Sequence, residues 1–174
     1  AKVLSVHKQL KKRFSDLKLI LVPRHPERFE SVYQLACADY KTQKHSDGEV
    51  VAAETQVLIG NTMGEMMVFL GASDIVFMGG TWVDNGGHNF IEPAAWSKPI
   101  LSGPSLYNFA EVTRLLIEAK GLNLVDSPQQ LSAEVLSLLE SAAKAKAMGC
   151  AAKQVAEDNR GALERLLHII DQAL

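Results

Sequence analysis

Cysteine is scarce in this chain, and what there is does not cluster. Cys37 and Cys150 stand far apart, with no CxxC and no Cys/His ligand spacing. Free thiols in a reducing cytosol are the expected state, with a disulfide left open. An excess of one charge is also missing. The net charge of −2 gives no electrostatic reason to expect nucleic acid as a partner. Lys and Arg are scattered apart from "KQLKKR" (8–13), which reads as the solvated face of a helix. No apolar run approaches the roughly 20 residues that cross a bilayer, and no secretory signal pattern is present. HxxxH and HxxH spacings are absent, so no metal site is expected. There is no GxGxxG after the first strand, no P-loop lysine motif, no GxSxG elbow and no paired carboxylates in a plausible acid/base unit. Catalysis by this chain alone therefore has no obvious machinery.

What is present is the composition of an ordinary globular domain, 47% apolar and 22% charged over 174 residues. One domain is expected. The chain opens "AKVLSV", without Met and already in a helical pattern, which suggests a piece of a longer protein. Short apolar runs at 17–22, 57–59, 74–78 and 98–102 read as buried strands. Helical patterns occupy 3–14, 26–40, 63–72, roughly 89–97 and 108–120, with "KTQKHSDG" (41–48) as a polar loop. The remainder predicts two helices, about 128–147 and 150–173, broken near Gly149. Strands alternating with helices predict an α/β fold, a Rossmann-like and mostly parallel sheet flanked by helices.

In such a fold ligands bind beyond the carboxyl ends of the strands. The strand-to-helix connections "PRHPER", "GNTMGE", "GGTWVDNGGHN" and "GPSLYN" concentrate glycine, amide and charged groups, whereas "GASD" and "WSK" at the opposite ends are plain. They are expected to line one sheet edge. Glycines ahead of a helix let an oxyanion reach main-chain N–H groups, and Arg24 adds a planar fork of donors. Glu92 is an acceptor-only group suited to the hydroxyls of a ribose. Structural explanations compete at several of these positions. Thr62…Glu65, Asn89…Glu92 and Asn108…Glu111 fit the capping-box pattern, and Pro93 at the first helical position would make Glu92 itself a cap. His25 and His88 read as surface or loop hydrogen-bonding groups. Met63, Met66, Met67 and Phe69 read mostly as core, with Met63 at the loop edge within reach of a base. Trp82 reads equally as a ligand platform or a loop anchor.

The ordered motifs "LVPRHPERF", "GNTMGEM", "DIVFMGGTWVDNGGHNFIEPAAWSKPILSGP" and "YNFAEV" resemble the 3-deoxy-D-manno-octulosonic acid (Kdo) transferases of lipopolysaccharide synthesis. The likeness runs from about residue 17 to 121. It implies a glycosyltransferase of the two-domain GT-B type, of which residues 1–174 would be the carboxyl-terminal half, a single CMP-Kdo-binding domain ending in a helix over 150–174. The amino-terminal half would carry the membrane anchor, the lipid-acceptor surface and the catalytic base, so no catalytic residue is expected here. The partners implied are CMP-Kdo, a lipid A precursor and that amino-terminal domain, at the cytoplasmic face of the bacterial inner membrane, the fragment itself being soluble. No cofactor is implied beyond the donor substrate.

Carried over residue by residue, the resemblance places Pro23, Arg24 and His25 near the cytidine and phosphate. It places Asn61, Thr62, Met63, Gly64 and Glu65 where main-chain groups meet the nucleotide. Gly79, Gly80, Gly86, Gly87, His88 and Asn89 become the glycine-rich loop, and Glu92 the acid on the ribose. A UDP-sugar-dependent GT-B transferase or epimerase domain, and a nucleotide-sensing module without chemistry, are the alternatives.

Overall fold

The computed structural model describes residues 2–84 and 86–160. They form two compact units, residues 2–73 with 128–136, and 74–127 with 137–160. The fold class read from the sequence is the one observed: α/β, with every strand pairing parallel.

The first unit holds β1 (Leu19–Leu21), β2 (Thr42–Lys44) and β3 (Val57–Ile59) in the order β1-β3-β2. Val57 and Ile59 of the central strand are fully buried. Leu4 of α1 (Lys2–Leu10) and Ala36 of α2 (Phe29–Cys37) pack with them, supported by Leu19, Leu21, Val32 and Tyr40. β2 falls inside the segment read as a polar loop. Its "TQK" has no apolar signal because it is an edge strand, half-buried along its length, where one side of the ladder stays wet. Gln43 gives it an anchor, its Oε1 accepting from Ala52 N (2.9 Å) and from the Thr55 hydroxyl.

The second unit holds β4 (Val76–Met78), β5 (Ile100–Ser102) and β6 (Leu122–Leu124), neighbours in sequence order. β6 was not among the strands expected. α4 (Ile91–Ala95), α5 (Ala110–Glu118) and α7 (Ala142–Arg160) cover the sheet. Phe90, Ala94, Ile100, Leu116, Leu122 and Ala152 form the solvent-free centre of this core. α6 (Pro128–Glu140) precedes α7, and the break between them lies at Ser141, not at Gly149. Ser141 Oγ accepts from Lys144 N (3.2 Å), an N-cap three residues ahead of its donor. Gly149 sits inside α7, where a Cβ would lie 2.0 Å from the Ser97 carbonyl oxygen. The glycine is there so that two backbones can touch. The expected helix over 150–173 falls partly outside the described residues.

Two outcomes follow from this packing. Gly149→Ala forces the α7 backbone away from Ser97 and should cost about 1–3 kcal/mol in urea unfolding, whereas a mere helix-breaker at that position would be stabilised by alanine. His7 tests the first unit. It is 3% exposed, its Nε2 has no hydrogen-bond partner, and its ring meets that of Tyr40 at 5.3 Å with a tilt of 48°. Burial, aided by the Lys11 charge, pushes its pKa from 6.5 down to about 4. The unfolded chain therefore binds the proton more readily. Stability is fully present above pH 6.5 and is lost as pH falls toward 4, by up to about 3 kcal/mol. His7→Phe should flatten that slope in denaturant titrations at pH 7 and pH 4.5.

Candidate functional site

The candidate residues fall into one cluster in each unit. In the first, the central place of β3 sets the loop after it beside the loop after β1. A Cβ on Gly60 would lie 2.8 Å from the Phe69 ring and 3.0 Å from Val22 Cγ2, so the two connections are pressed together. Pro23 is half-buried, and Arg24 and His25 are exposed. His25 ends the extended chain (φ −110°, ψ 127°) at a short 3-10 turn, Pro26–Arg28, its carbonyl accepting from Arg28 N at 2.9 Å.

In the 60–65 loop, Asn61 and Glu65 are engaged within the protein. Asn61 Oδ1 accepts from Ser46 N (3.0 Å), and its Nδ2 donates to Ser46 Oγ (2.7 Å). Glu65 Oε2 lies 3.3 Å from His45 Nε2. Between them Met63 and Gly64 are exposed, Gly64 with φ 81° and open space above it, and the Thr62 hydroxyl is buried without a partner. The expected Thr62…Glu65 capping box does not form. α3 (Met66–Ala72) starts after Glu65, with no side-chain cap. Nor are the methionines core. Met63, Met66 and Met67 are 68%, 40% and 45% exposed, while Phe69 and Leu70 turn inward.

In the second unit, Gly79 and Gly80 leave β4, and a Cβ on Gly79 would meet nothing. Gly86 and Gly87 differ. Both are buried with positive φ (67° and 73°), a backbone disfavoured for residues bearing a Cβ. A Cβ on Gly86 would lie 2.4 Å from Asn108 Nδ2, and one on Gly87 would lie 3.1 Å from Phe90 and Thr81. These two glycines admit the protein's own side chains.

Thr81, which the sequence did not single out, is the hub of this loop. Fully buried, its hydroxyl donates to Met78 O (2.7 Å) and accepts from Gly103 N (2.7 Å), while its carbonyl accepts from Ser105 N (3.1 Å). Ser105 Oγ in turn accepts from Gly86 N (3.2 Å). The "GGT" and "GPS" connections are thereby one hydrogen-bonded piece.

Trp82 is an anchor. Its Nε1–H donates to Val125 O (2.7 Å) and its ring lies 4.7 Å from Phe77. His88 is half-buried and Asn89 exposed. Asn89 Oδ1 accepts from Ile91 N (3.0 Å) and its Nδ2 donates to Glu92 Oε1 (3.2 Å). α4 begins at Ile91, so Glu92 is not the cap that Pro93 suggested but the second helical residue, half-buried and oriented by Asn89. Asn108 does not cap α5 either. Glu111 instead bonds Arg114 (2.8 Å), which holds its carboxyl below the usual range.

α3 has seven residues and α4 five, too short for a full helix dipole. What they offer an anion is main-chain N–H groups and the nearby side chains. A groove of about 820 Å³ opens in the second unit, walled by Trp82, Val83, Pro104, Leu106, Tyr107 and Ile117. Of the residues weighed for a ligand, only Trp82 is among the described residues that line it. Its cation, Arg114, is held by Glu111 and by Glu118 at 2.7 Å. Among the described residues no group of three or more His, Cys, Asp or Glu is placed to hold a metal, and no helix is long and apolar enough to cross a membrane.

Thr81→Val removes a donor and an acceptor while keeping shape, leaving Met78 O and Gly103 N buried and unpaired. A loss of about 2–4 kcal/mol is expected in denaturant unfolding, with Thr81→Ser largely restoring it. A valine variant as stable as the parent would remove Thr81 as the hub.

No family model matches the chain. Among known proteins it is 40% identical, over 97% of its length, to the 3-deoxy-D-manno-octulosonic acid transferase of Haemophilus influenzae, and covers 40% of that protein. It is 32% identical, over 90% of its length, to that of Bordetella pertussis, covering 37% of it. The chain thus spans about two fifths of the length of these curated relatives. The crystal structure of the C-terminal CMP-Kdo binding domain of WaaA from Acinetobacter baumannii shares the fold, with a TM-score of 0.75 and 23% identity over 87% of this chain and 98% of that one. On these similarities, the chain belongs to the 3-deoxy-D-manno-octulosonic acid transferase family.

Proposed function

We propose that this chain is the donor-binding part of a glycosyltransferase that moves Kdo from CMP-Kdo to a lipid A precursor. The geometrical observation that carries the reading is the start of α4. A half-buried carboxylate, Glu92, is oriented by Asn89 in the first turn of the helix that follows the β4 connection, and that connection leaves β4 at Gly79, where the backbone is open to approach. That pairs an acceptor for ribose hydroxyls with main-chain groups reachable by a phosphate. The resemblance to the family adds Arg24, exposed in the first unit, as a donor contact.

In the transfer, an acceptor hydroxyl oxygen bonds to the anomeric carbon of Kdo as the bond from that carbon to the CMP phosphate oxygen breaks. The hydroxyl proton passes to a base expected in the amino-terminal half of the full-length protein. CMP leaves with the bonding electrons, and N–H groups with Arg24 stabilise the charge that develops on its phosphate. CMP is a good leaving group, so the chemistry calls for no cofactor. The full-length protein acts at the cytoplasmic face of the inner membrane, where its amino-terminal domain meets the lipid.

Calorimetric titration of the chain with CMP, with UMP as control, tests this. CMP binding should exceed UMP binding, and Arg24→Ala and Glu92→Ala should each weaken CMP about tenfold or more. Equal binding of both nucleotides would favour a UDP-sugar transferase or epimerase domain. Two silent variants in a folded protein would refute the site. Binding of neither nucleotide, by this chain or by a longer protein that includes the amino-terminal half, would refute the reading.

A further inference from the structure

We propose that His45 and Ser46, in the turn after β2, are positioning residues for the 60–65 loop of the donor site. The inference rests on the reading that this loop serves a nucleotide. With β3 in the centre of its sheet, the loop that follows it has the β1 connection on one side and the β2 turn on the other. That turn, His45–Asp47, is a single 3-10 turn closed by Gly48 at φ 70°.

The turn holds the loop at its first and last side chains. At the start, Ser46 N donates to Asn61 Oδ1 at 3.0 Å and Asn61 Nδ2 donates to Ser46 Oγ at 2.7 Å. Using both ends of the amide means that Asn61 cannot rotate without losing both bonds. At the end, His45 Nε2 lies 3.3 Å from Glu65 Oε2. A neutral ring protonated at Nε2 and the imidazolium both make that bond. The His45 ring also meets the Phe69 ring edge-on, at 5.0 Å and 77°. Phe69 is buried against Gly60, the residue at which the loop leaves β3. The turn, the two ends of the loop and the first turns of α3 are therefore one packed assembly.

The middle of the loop stands outside it, with Met63 68% exposed and the space above Gly64 open. The division of labour follows. Asn61 and Glu65 act through geometry, directed at the turn, and the main chain of 62–64 is what a ligand would meet. A loop already held at both ends loses less freedom on binding.

The test is a double-mutant cycle on the whole chain. Ser46→Ala and Asn61→Ala are made singly and together, with CMP affinity by calorimetry, thermal unfolding, and amide hydrogen exchange of 60–65 without nucleotide. Each single change should weaken CMP about three- to tenfold and speed exchange in the loop, with little change in the melting temperature. The double variant should be no worse than Asn61→Ala, which already loses both bonds, whereas Ser46→Ala keeps the one from its main-chain N. Ser46→Thr should restore affinity, and so should His45→Gln relative to His45→Ala. Additive effects, unaltered exchange, or losses that merely track a lowered melting temperature would overturn the proposal. If the parent chain binds no CMP, the donor reading fails separately. Exchange in the nucleotide-free protein then decides the clamp alone, faster exchange in the variants supporting it and unchanged exchange overturning it.

Discussion

Parallel pairing of very short strands is the constraint on which the rest depends. Every strand has three residues, and each pairs in register with its neighbour, so the carboxyl ends in a sheet finish level. Three residues bury too little to define a strand alone. The connections must therefore be built as firmly as the strands, and in this chain they are. Lys18 shows the same economy, its amine donating to the carbonyls of Ala52, Ala53 and Thr55 at 2.8–3.1 Å to close the approach to β3. The loops are scaffold first, and whatever they bind is held by that scaffold.

Each unit solves this with a short polar residue. Thr81 ties two connections through one hydroxyl, and Ser46 ties the 60–65 loop through one amide partner. The glycine pairs divide between two tasks. Gly86 and Gly87 make room for Asn108, Phe90 and Thr81, while Gly79 leaves its surroundings open. A loop with this division keeps its shape before a ligand arrives, which lowers the ordering cost of binding.

Much of the fold was legible in the sequence because apolar runs ending in glycine or proline mark buried strands. That logic found β1, β3, β4 and β5. It missed β2, whose "TQK" carries no apolar signal at a half-buried edge. Gly149 misled because glycine in a helical pattern reads as a break, whereas the contact with Ser97 is invisible without coordinates. The methionines of α3 misled in the opposite sense, their spacing suggesting core where the helix presents them to solvent. For the candidate site, the loops were legible from composition and the likeness to the family. The roles within them were not. Nothing in "KTQKHSDG" says that His45 and Ser46 face Glu65 and Asn61, since that pairing is made by strand order. Capping-box spacing at 62–65 and 108–111 was equally silent about Glu65 and Glu111, which pair with His45 and Arg114 instead.

The central claim is that nucleotide meets the second unit at the connection from β4 to α4, at Gly79 and Glu92, and not in the apolar groove beside Trp82. The most direct measurement is amide chemical-shift mapping by NMR as CMP is added to the isotopically labelled chain. The account predicts that the largest shifts in the second unit fall on Gly79, Gly80 and Glu92, with Leu106, Tyr107 and Ile117 little changed. Shifts concentrated on Leu106, Tyr107 and Ile117 would contradict it.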